Sequence, residues 1–533
     1  MSRFNVVVAT DLTEESLARL QAASDVQVKM VTPTFQAVRD ALPTAHAIIF
    51  REGIALDRPL IQSAPQLQVI ARVGTGLNGV DMEAATGQGV VVMNTPGVSA
   101  IAHAELAVTL MLALSRRLTA AHDSLRNGWW LLDRKRQAGV QLYGKTLGIV
   151  GLGRVGRVVA QRGLAFGMTV LACDPYISDD QVGDERVTLV GLRELIQRSD
   201  FVSLHLPLTG ETRGLFDAAT IRQLKPGARL INIAHGAIWD EHAVAQAVKD
   251  GHLAGVATDV YPEEPPYNSP LIGLDHVIHT PRIGDNTVEA NTDLSLQIIE
   301  QVLDALRGQD YRNVVNLPFM PGLDFETSRP YLRLAECIGA LTYVLARHPV
   351  RRVAVEYRGP EMSGLIKPVA VALLKGLLKP MLGDKVNYIN APVLAAERGI
   401  QLTQTKGLVG GEYTNLVVCK VTLEDGDDIT MSGTLLDRHE PYIVQINQYH
   451  MNFVPEGHLL IMGSYDQPGV IGRVGMLMAN NNVNIASWHT GRAERGGQTL
   501  TVLTLDEPVP DSVLDELRQL DFVRHARQVE IQV

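Results

Sequence analysis

The stretch KTLGIVGLGRVGRVVAQRGLAFGMTVLACDP, residues 145–175, decides the fold. Leu147–Val150 is a short apolar run that enters a glycine-rich turn. The residues after Gly153 have helical spacing, and TVLAC is a second apolar run. Strand, glycine turn, helix and strand in that order form the first unit of a dinucleotide-binding parallel sheet. Each glycine of GLGRVG has its own reason. Gly151 permits the tight turn, Gly153 lets a pyrophosphate approach the backbone, and Gly156 lets helix and strand pack closely. A helix begins there, so its free N–H groups and positive dipole end face a phosphate. Asp174 ends the second strand, 18 residues after Gly156. Its carboxylate can accept bonds from a ribose 2′-OH and would repel a 2′-phosphate, so the pattern predicts NAD rather than NADP.

Strand-like runs continue downstream in FVSLHLP (201–207), ARLINIA (228–234), LAGVATDV (253–260) and HVIHTP (276–281). Upstream, VVVAT (6–10), AIIF (47–50), LQVIARV (67–73) and VVVMNT (90–95) alternate with amphipathic stretches, which predicts another parallel sheet. A long connecting helix is predicted over 101–115 and another over 287–307. The pattern does not say which sheet the second helix joins. Residues 308–325, with RNVVNLPFMPGLD, read as a linker. Residues 326–455 mix helix and strand patterns. The tail from HLLIMGSYDQPGVIGRVG onward reads β-α-β-β-α-β, a small ferredoxin-like module.

The chain has 533 residues, so three or four domains are expected. Hydrophobic residues at 46% and charged residues at 20% exclude a disordered, collagenous or coiled-coil chain. Lys+Arg (48) trail Asp+Glu (58), which argues against a nucleic-acid partner or an acidic membrane surface. Cys173, Cys337 and Cys419 lie far apart, so neither a disulfide framework nor a CxxC zinc site is expected, and no metal. The start, MSRFNVVVATDL, lacks a basic-then-apolar leader. The long apolar stretches are interrupted by His103 and Glu105, or by Lys367, Pro368, Lys375 and Lys379, so no membrane span is expected. These features predict a cytoplasmic protein.

With the fingerprint in mid-chain, the sequence resembles the D-2-hydroxyacid dehydrogenases, and within them the long form of the D-3-phosphoglycerate dehydrogenase family. The likeness is carried by ARVGTGLNGVD (71–81), VVVMNTPG (90–97), AEL (104–106), GKTLGIVGLGRVG (144–156), CDP (173–175), LHLPLTGETRGL (204–215), LKPGARLINIAHGAIWDE (224–241), ATDVYPEEPP (257–266) and HTPRIGDNTVEA (279–290). In the tail, NAPVLAAERGI (390–400) looks like the intervening regulatory domain, and YDQPGVIGRVG with NNNVNIA looks like an ACT domain. The resemblance implies an α/β chain of two Rossmann-like doubly wound domains, an α+β regulatory domain and a ferredoxin-like ACT domain. It divides the chain into a split substrate-binding domain (1–98 and 292–316), an NAD-binding domain (99–291), an intervening domain (317–455) and an ACT domain (456–533).

Carried over by position, Gly151, Gly153, Arg154, Val155, Gly156, Asp174, Pro207 and Asp259 would hold NAD, with Asp259 near the nicotinamide. Arg51 and Arg72 match basic positions on the substrate side, and Gly74 and Gly76 would offer backbone to a carboxylate. Arg134, Lys135 and Arg136 match a cationic segment that would meet a phosphate; a solvated loop is the other reading. Asp466, Gly469 and Asn484 fall where the family binds an amino acid, here a serine effector, although Asp-Gln-Pro-Gly is also an ordinary turn. ACT modules pair edge to edge, which implies a homo-oligomer.

The catalytic set departs from the family. The family has an Arg after INIA, a Glu in the DV…EP segment and a His after TP. The matching residues are His235, Glu264 and Arg282, so Arg and His have changed places. Oxidising a 2-hydroxy acid needs a group that takes the hydroxyl proton, and an imidazole titrating near neutrality suits it. It also needs a forked cation for the carboxylate, and a guanidinium suits that. A guanidinium keeps its proton at any working pH, so Arg282 cannot be the acid. The exchange therefore gives His235 the proton, Arg282 the anion, and Glu264 a pairing with Arg282 unless it also reaches His235. His279 is a substitute acid by position, or a strand residue on another face. His205 reads as positioning a loop, and His103 as helix packing.

The substrate loop reads Gly97, Val98, Ser99, Ala100, nearer to glyoxylate and hydroxypyruvate reductases than to the Asn-Gly-Asn-Ser of phosphoglycerate dehydrogenases. The regulatory tail points instead to serine synthesis and is given the greater weight. The leading expectation is thus an NAD-dependent dehydrogenase taking 3-phosphoglycerate to 3-phosphohydroxypyruvate. Its rivals are a silent homologue that senses NAD and an amino acid, and a dehydrogenase for a non-phosphorylated 2-hydroxy acid.

Overall fold

Among the residues described by the computed structural model (3–51, 53–77, 79–130, 138–319, 325–359, 364–407, 413–437 and 439–531), four sheets follow one another along the chain. The first is parallel, in the order β2-β1-β3-β4-β5. Its strands are β1 (Phe4–Ala9), β2 (Val26–Met30), β3 (Ala47–Phe50), β4 (Val69–Arg72) and β5 (Val91–Asn94). Strands β3, β4 and β5 are wholly buried, because helices cover both faces of the sheet. Strand β2 lies at the edge with only Val26 buried. Its VQVKM lacks the apolar run that announces the others.

The second sheet is also parallel, in the order β12-β11-β10-β9-β6-β7-β8. It contains β6 (Thr146–Val150), β7 (Thr169–Cys173), β8 (Val187–Leu189), β9 (Phe201–Leu204), β10 (Ala228–Asn232), β11 (Leu253–Thr258) and β12 (Val277–His279). The chain runs outward from β6 to β8, then returns to β9 on the other side of β6. This reversal opens a crevice at the carboxyl ends of β6 and β9, where dinucleotides bind. The GLGRVG turn leaves β6 at that point.

The helix Ala100–Arg116 connects the two sheets. The helix Val288–Leu306 returns to the first sheet, where Leu294, Ile298, Ile299 and Val302 bury against Val6, Val8, Ile49 and Val69. Each fully buried aliphatic side chain of this kind contributes about 1.5–3 kcal/mol. The expected linker over 308–325 is in part structured. Val315 N–H donates to the Val92 carbonyl at 2.8 Å, and Asn316 bonds the backbone of Val90 and Val92.

The third sheet has the order β14-β13-β15-β16-β17-β18. Its strands are β13 (Val350–Arg358), β14 (Gln401–Lys406), β15 (Leu416–Leu423), β16 (Asp428–Leu436), β17 (Glu440–Ile446) and β18 (Tyr449–Phe453). Two helices, Phe325–Leu345 and Ile366–Leu382, pack with it. They cross at Gly339 and Gly376 with their backbones in contact. The fourth sheet contains β19 (Gly457–Tyr465), β20 (Ile485–Arg492), β21 (Gln498–Leu505) and β22 (Val523–Ile531) in the order β20-β21-β19-β22. With its two helices it is the expected β-α-β-β-α-β module. Among the described residues no helix is long and apolar enough to cross a membrane.

A Cβ on Gly376 would lie 2.0 Å from the Glu336 carbonyl oxygen. Gly376→Ala gains about 1 kcal/mol of helix propensity but forces the two helices apart. The expected net result is a loss of about 1–3 kcal/mol, read as a lower urea midpoint with NADH affinity unchanged.

Candidate active site

The glycine turn is built as its residue types require. Gly151 has φ +95°, and a Cβ there would sit 2.6 Å from the His205 carbonyl oxygen. A Cβ on Gly156 would lie 2.1 Å from the Gly151 carbonyl oxygen. Both positions exclude a side chain by packing. At Gly153 a Cβ would meet nothing within 4 Å, so that face of the turn is open. Gly153 caps the helix Arg154–Ala165 without a side-chain bond, and its open face suits a diphosphate. Asp174 follows β7; its carboxylate accepts from Leu152 N–H at 2.9 Å and from Tyr176 N–H at 3.0 Å. It is therefore fixed beside the turn, with lone pairs left for a ribose hydroxyl. The Arg154 side chain lies against Gly97, joining the turn to the loop that follows β5.

A cleft of about 810 Å³ opens between the carboxyl ends of the first two sheets. It is lined by Arg51, Arg72, Gly74 and Gly76 from the first sheet, and by Pro207, His235, Asp259, Glu264 and Arg282 from the second. The three residues of the exchanged catalytic set thus share one cleft. Arg72 is only 3% exposed, and its guanidinium lies over Gly76, where a Cβ would come within 2.3 Å of Nη1. Arg51 Nη2 donates to Asn291 Oδ1 at 2.8 Å.

Asp259 follows β11 and is 2% exposed. Its Oδ1 accepts from the Thr280 hydroxyl at 2.6 Å and from Ile283 N–H at 2.8 Å; its Oδ2 accepts from Gly284 N–H at 2.9 Å. One carboxylate therefore ties down both sides of the segment that carries Arg282. Arg282 sits in the left-handed region at φ +56°, and Nη1 donates to Glu264 Oε2 at 2.5 Å. Glu264 Oε1 accepts from Tyr261 N–H at 3.2 Å. His235 follows β10, and its carbonyl accepts from Asn232 Nδ2 at 3.0 Å. Gly236 lies on the Tyr261–Pro262 backbone, where a Cβ would be 2.0 Å from Tyr261 C. Burial, with Asp259 next, pushes the Tyr261 phenol up to about 12.

His205 is no proton carrier. Its Nε2 meets the Ser203 hydroxyl at 2.9 Å, and burial, with the charge of His103 adding, pushes it down to about 3. His279 lies on β12, outside the cleft lining, with both ring nitrogens buried and without a partner. Burial lowers it from the ordinary histidine value. His103, expected to pack its helix, instead lines the cleft. The available signal was its place in the first turn of the helix that follows the substrate loop. Arg134, Lys135 and Arg136 lie outside the described residues.

The three ACT positions do not meet within one chain. Strands β19 and β20 are both antiparallel to β21, so they run in the same direction. Asp466 and Gly469 follow the exit end of β19, whereas Asn484 precedes the entry end of β20. Asp466 accepts from Gly496 N–H at 3.0 Å and pairs with Arg492 at 3.3 Å, which holds its carboxyl below the usual range, the backbone bond most. Asn484 Nδ2 donates to Asp506 Oδ2 at 2.6 Å.

Comparison with known proteins adds three family matches. Residues 108–284 match the D-isomer-specific 2-hydroxyacid dehydrogenase NAD-binding domain, 327–447 the D-3-phosphoglycerate dehydrogenase intervening domain, and 458–522 the ACT domain. The D-3-phosphoglycerate dehydrogenase of Methanocaldococcus jannaschii is 37% identical over 531 residues, 99% of each chain. That of Archaeoglobus fulgidus is 38% identical over 530 residues, 99% of this chain and 100% of the relative. A D-lactate dehydrogenase of Aquifex aeolicus, solved with NAD and lactic acid, superposes with TM-score 0.51 at 27% identity, covering 57% of this chain and 96% of its own.

Two outcomes are expected. Asp259→Ala leaves the Ile283 and Gly284 N–H groups without an acceptor, costing about 1–3 kcal/mol each, and the Thr280 hydroxyl with only the Thr258 carbonyl at 3.4 Å; amide exchange at Ile283 and Gly284 should rise steeply while that of β6 is unchanged. His205 folds neutral, whereas the unfolded chain takes up its proton near the ordinary value of 6.5. Between that value and about 3 the unfolded state binds more protons, so stability should fall as pH falls through this window. Urea midpoints of His205→Gln should fall less steeply there.

Proposed function

The chain belongs to the D-3-phosphoglycerate dehydrogenase family of D-isomer-specific 2-hydroxyacid dehydrogenases, and we propose that it oxidises 3-phosphoglycerate to 3-phosphohydroxypyruvate in serine synthesis, through a site whose Arg and His have exchanged places. NAD is its cofactor, and the open face of Gly153 with Asp174 beside it fits that group. Bound there, NAD supplies the hydride acceptor. In this reading Arg154, Val155 and Pro207 complete its bed. His235 takes the hydroxyl proton. Arg282 holds the carboxylate with forked donors, and Glu264 aims Arg282. Arg51 and Arg72, with the backbone of Gly74 and Gly76, bind the remaining anionic groups; Arg134 and Lys135 are assigned to the phosphate by position in the sequence. The observation that carries the reading is the common cleft of His235, Glu264 and Arg282, with the Glu264–Arg282 pair already formed.

A non-phosphorylated 2-hydroxy acid is the second reading. It is favoured by the loop Gly97–Ala100, which brings Ser99 alone as a polar side chain to the cleft.

The same reading divides the chain as the resemblance implies, at 1–98 with 292–316, 99–291, 317–455 and 456–533. It gives the ACT module serine as effector. Asp466 and Asn484 lie at opposite ends of one sheet, so a serine touching both requires two copies. A homo-oligomer is further supported by Leu118 and Leu125 on the helix Leu118–Arg126 and by Trp129 and Trp130 after it, which are 60–77% exposed. Three free thiols suit the cytoplasm.

Purified protein should consume NADH with phosphohydroxypyruvate faster than with hydroxypyruvate or 2-oxoglutarate. NADH binding without turnover of any 2-oxo acid would refute the dehydrogenase. His235→Arg and Arg282→His should each lower kcat by roughly 100-fold or more, and the double exchange should be less damaging than the product of the two. A double variant that is active where the natural chain is not would show that the natural arrangement is inactive.

A further inference from the structure

His103 is the cleft imidazole that the exchanged set does not use. Its Nδ1 lies 2.9 Å from the Ser99 carbonyl oxygen. A carbonyl only accepts, so Nδ1 carries the proton and Nε2 of the neutral ring is an acceptor. That Nε2 lies against Gly284. A Cβ on Gly284 would be 2.8 Å from His103 Nε2 and 3.1 Å from Asp259 Oδ2. Two acceptors from different elements, a ring nitrogen and a carboxylate oxygen, thus converge on one point of the cleft wall. Asp259 Oδ2 accepts one bond, from Gly284 N–H, and retains a further lone pair.

The sheet order says which part of the cofactor comes here. The glycine turn ends β6. Asp174, the ribose partner, ends β7 on one side of it. The other half of a dinucleotide must therefore extend the opposite way, across the ends of β9, β10 and β11. Asp259 ends β11, and His103 faces it across Gly284. The group carried on that half is a primary carboxamide, with two N–H donors on one nitrogen. Two convergent acceptors match two such donors.

We infer that His103 is a positioning residue for the nicotinamide, its Nε2 accepting one carboxamide N–H while Asp259 Oδ2 accepts the other. This deepens the dehydrogenase reading and rests on it. The pairing fixes the ring about its glycosidic bond and so selects the face presented to the substrate. It also gives a reason for Gly284, since any side chain there would fill the space between the two acceptors.

Binding to the full-length protein tests this without turnover. NADH, ADP-ribose, which has no nicotinamide, and reduced 3-acetylpyridine adenine dinucleotide, whose ring carries a methyl ketone in place of the amide, are titrated by calorimetry. His103→Leu keeps the packing volume and should weaken NADH by roughly three- to tenfold, with ADP-ribose unchanged. His103→Gln restores an acceptor and should recover part of the loss. The natural chain should prefer NADH to the acetylpyridine analogue, and His103→Leu should lose most of that preference. ADP-ribose binding also reports that each variant is folded. Equal weakening of NADH and ADP-ribose, or no change in either, would overturn the inference. Failure of the natural chain to bind NADH would instead overturn the dehydrogenase reading itself.

Discussion

The carboxylate of Asp259 is the constraint on which the cleft depends. A buried anion is tolerated only where donors replace its water. Here the donors are one hydroxyl and two backbone N–H groups from the segment that follows β12. Bonds of this charge-assisted kind contribute about 1.5–3 kcal/mol each. The chain therefore has little freedom to move 280–284 without exposing or stranding the charge. Arg282 lies inside this clamped stretch, with a backbone at φ +56° that a non-glycine residue adopts only where its surroundings hold it. The clamp supplies that hold.

On this frame the exchange of Arg and His has a consistent electrostatic logic. In the family's order a Glu beside an imidazole favours the charged ring. In this chain the same Glu meets a guanidinium, and the pair is formed in the structure. The guanidinium is half exposed, so its bond to Glu264 contributes direction more than stability. His235, at the end of β10, is then the imidazole of the three. In the proposed reading the family's residue types are kept while two positions are exchanged, and the cost of the exchange is geometric: about 1 Å of misplacement can reduce a rate about 100-fold.

Much of this was legible in the sequence, and the remainder was hidden for identifiable reasons. GLGRVG announced its strand, turn and helix because each glycine answers a contact, with the His205 carbonyl, with open space, or with the Gly151 carbonyl. Strand β2 was invisible because an edge strand with one buried residue has no apolar run. The helix Val288–Leu306 was recognisable as a helix, but an amphipathic face does not name its partner sheet. His103 was misjudged because its neighbours in the sequence are the apolar residues of a buried helix, while its first turn opens on the cleft. Asp466 and Asn484 both sit at turns, and only the strand directions show that they lie at opposite ends of their sheet.

The intervening region reaches the first-sheet side of the cleft through two sets of hydrogen bonds joined by one strand. Asn387 of the intervening region donates to the Gly89 carbonyl, and Asn387 and Asn390 close over that glycine, which has φ +81°. Gly89 caps the helix Met82–Gln88 and leads directly into β5. At the far end of β5, Asn94 Nδ2 donates to the Thr75 carbonyl at 2.7 Å, and the Thr95 hydroxyl accepts from Gly74 N–H at 2.8 Å. Gly74 and Gly76 line the cleft on the side of the first sheet. The four-residue strand between the two ends is wholly buried and therefore stiff along its axis. A displacement of the intervening region consequently bears on Gly74 and Gly76, at the cleft end of the first sheet.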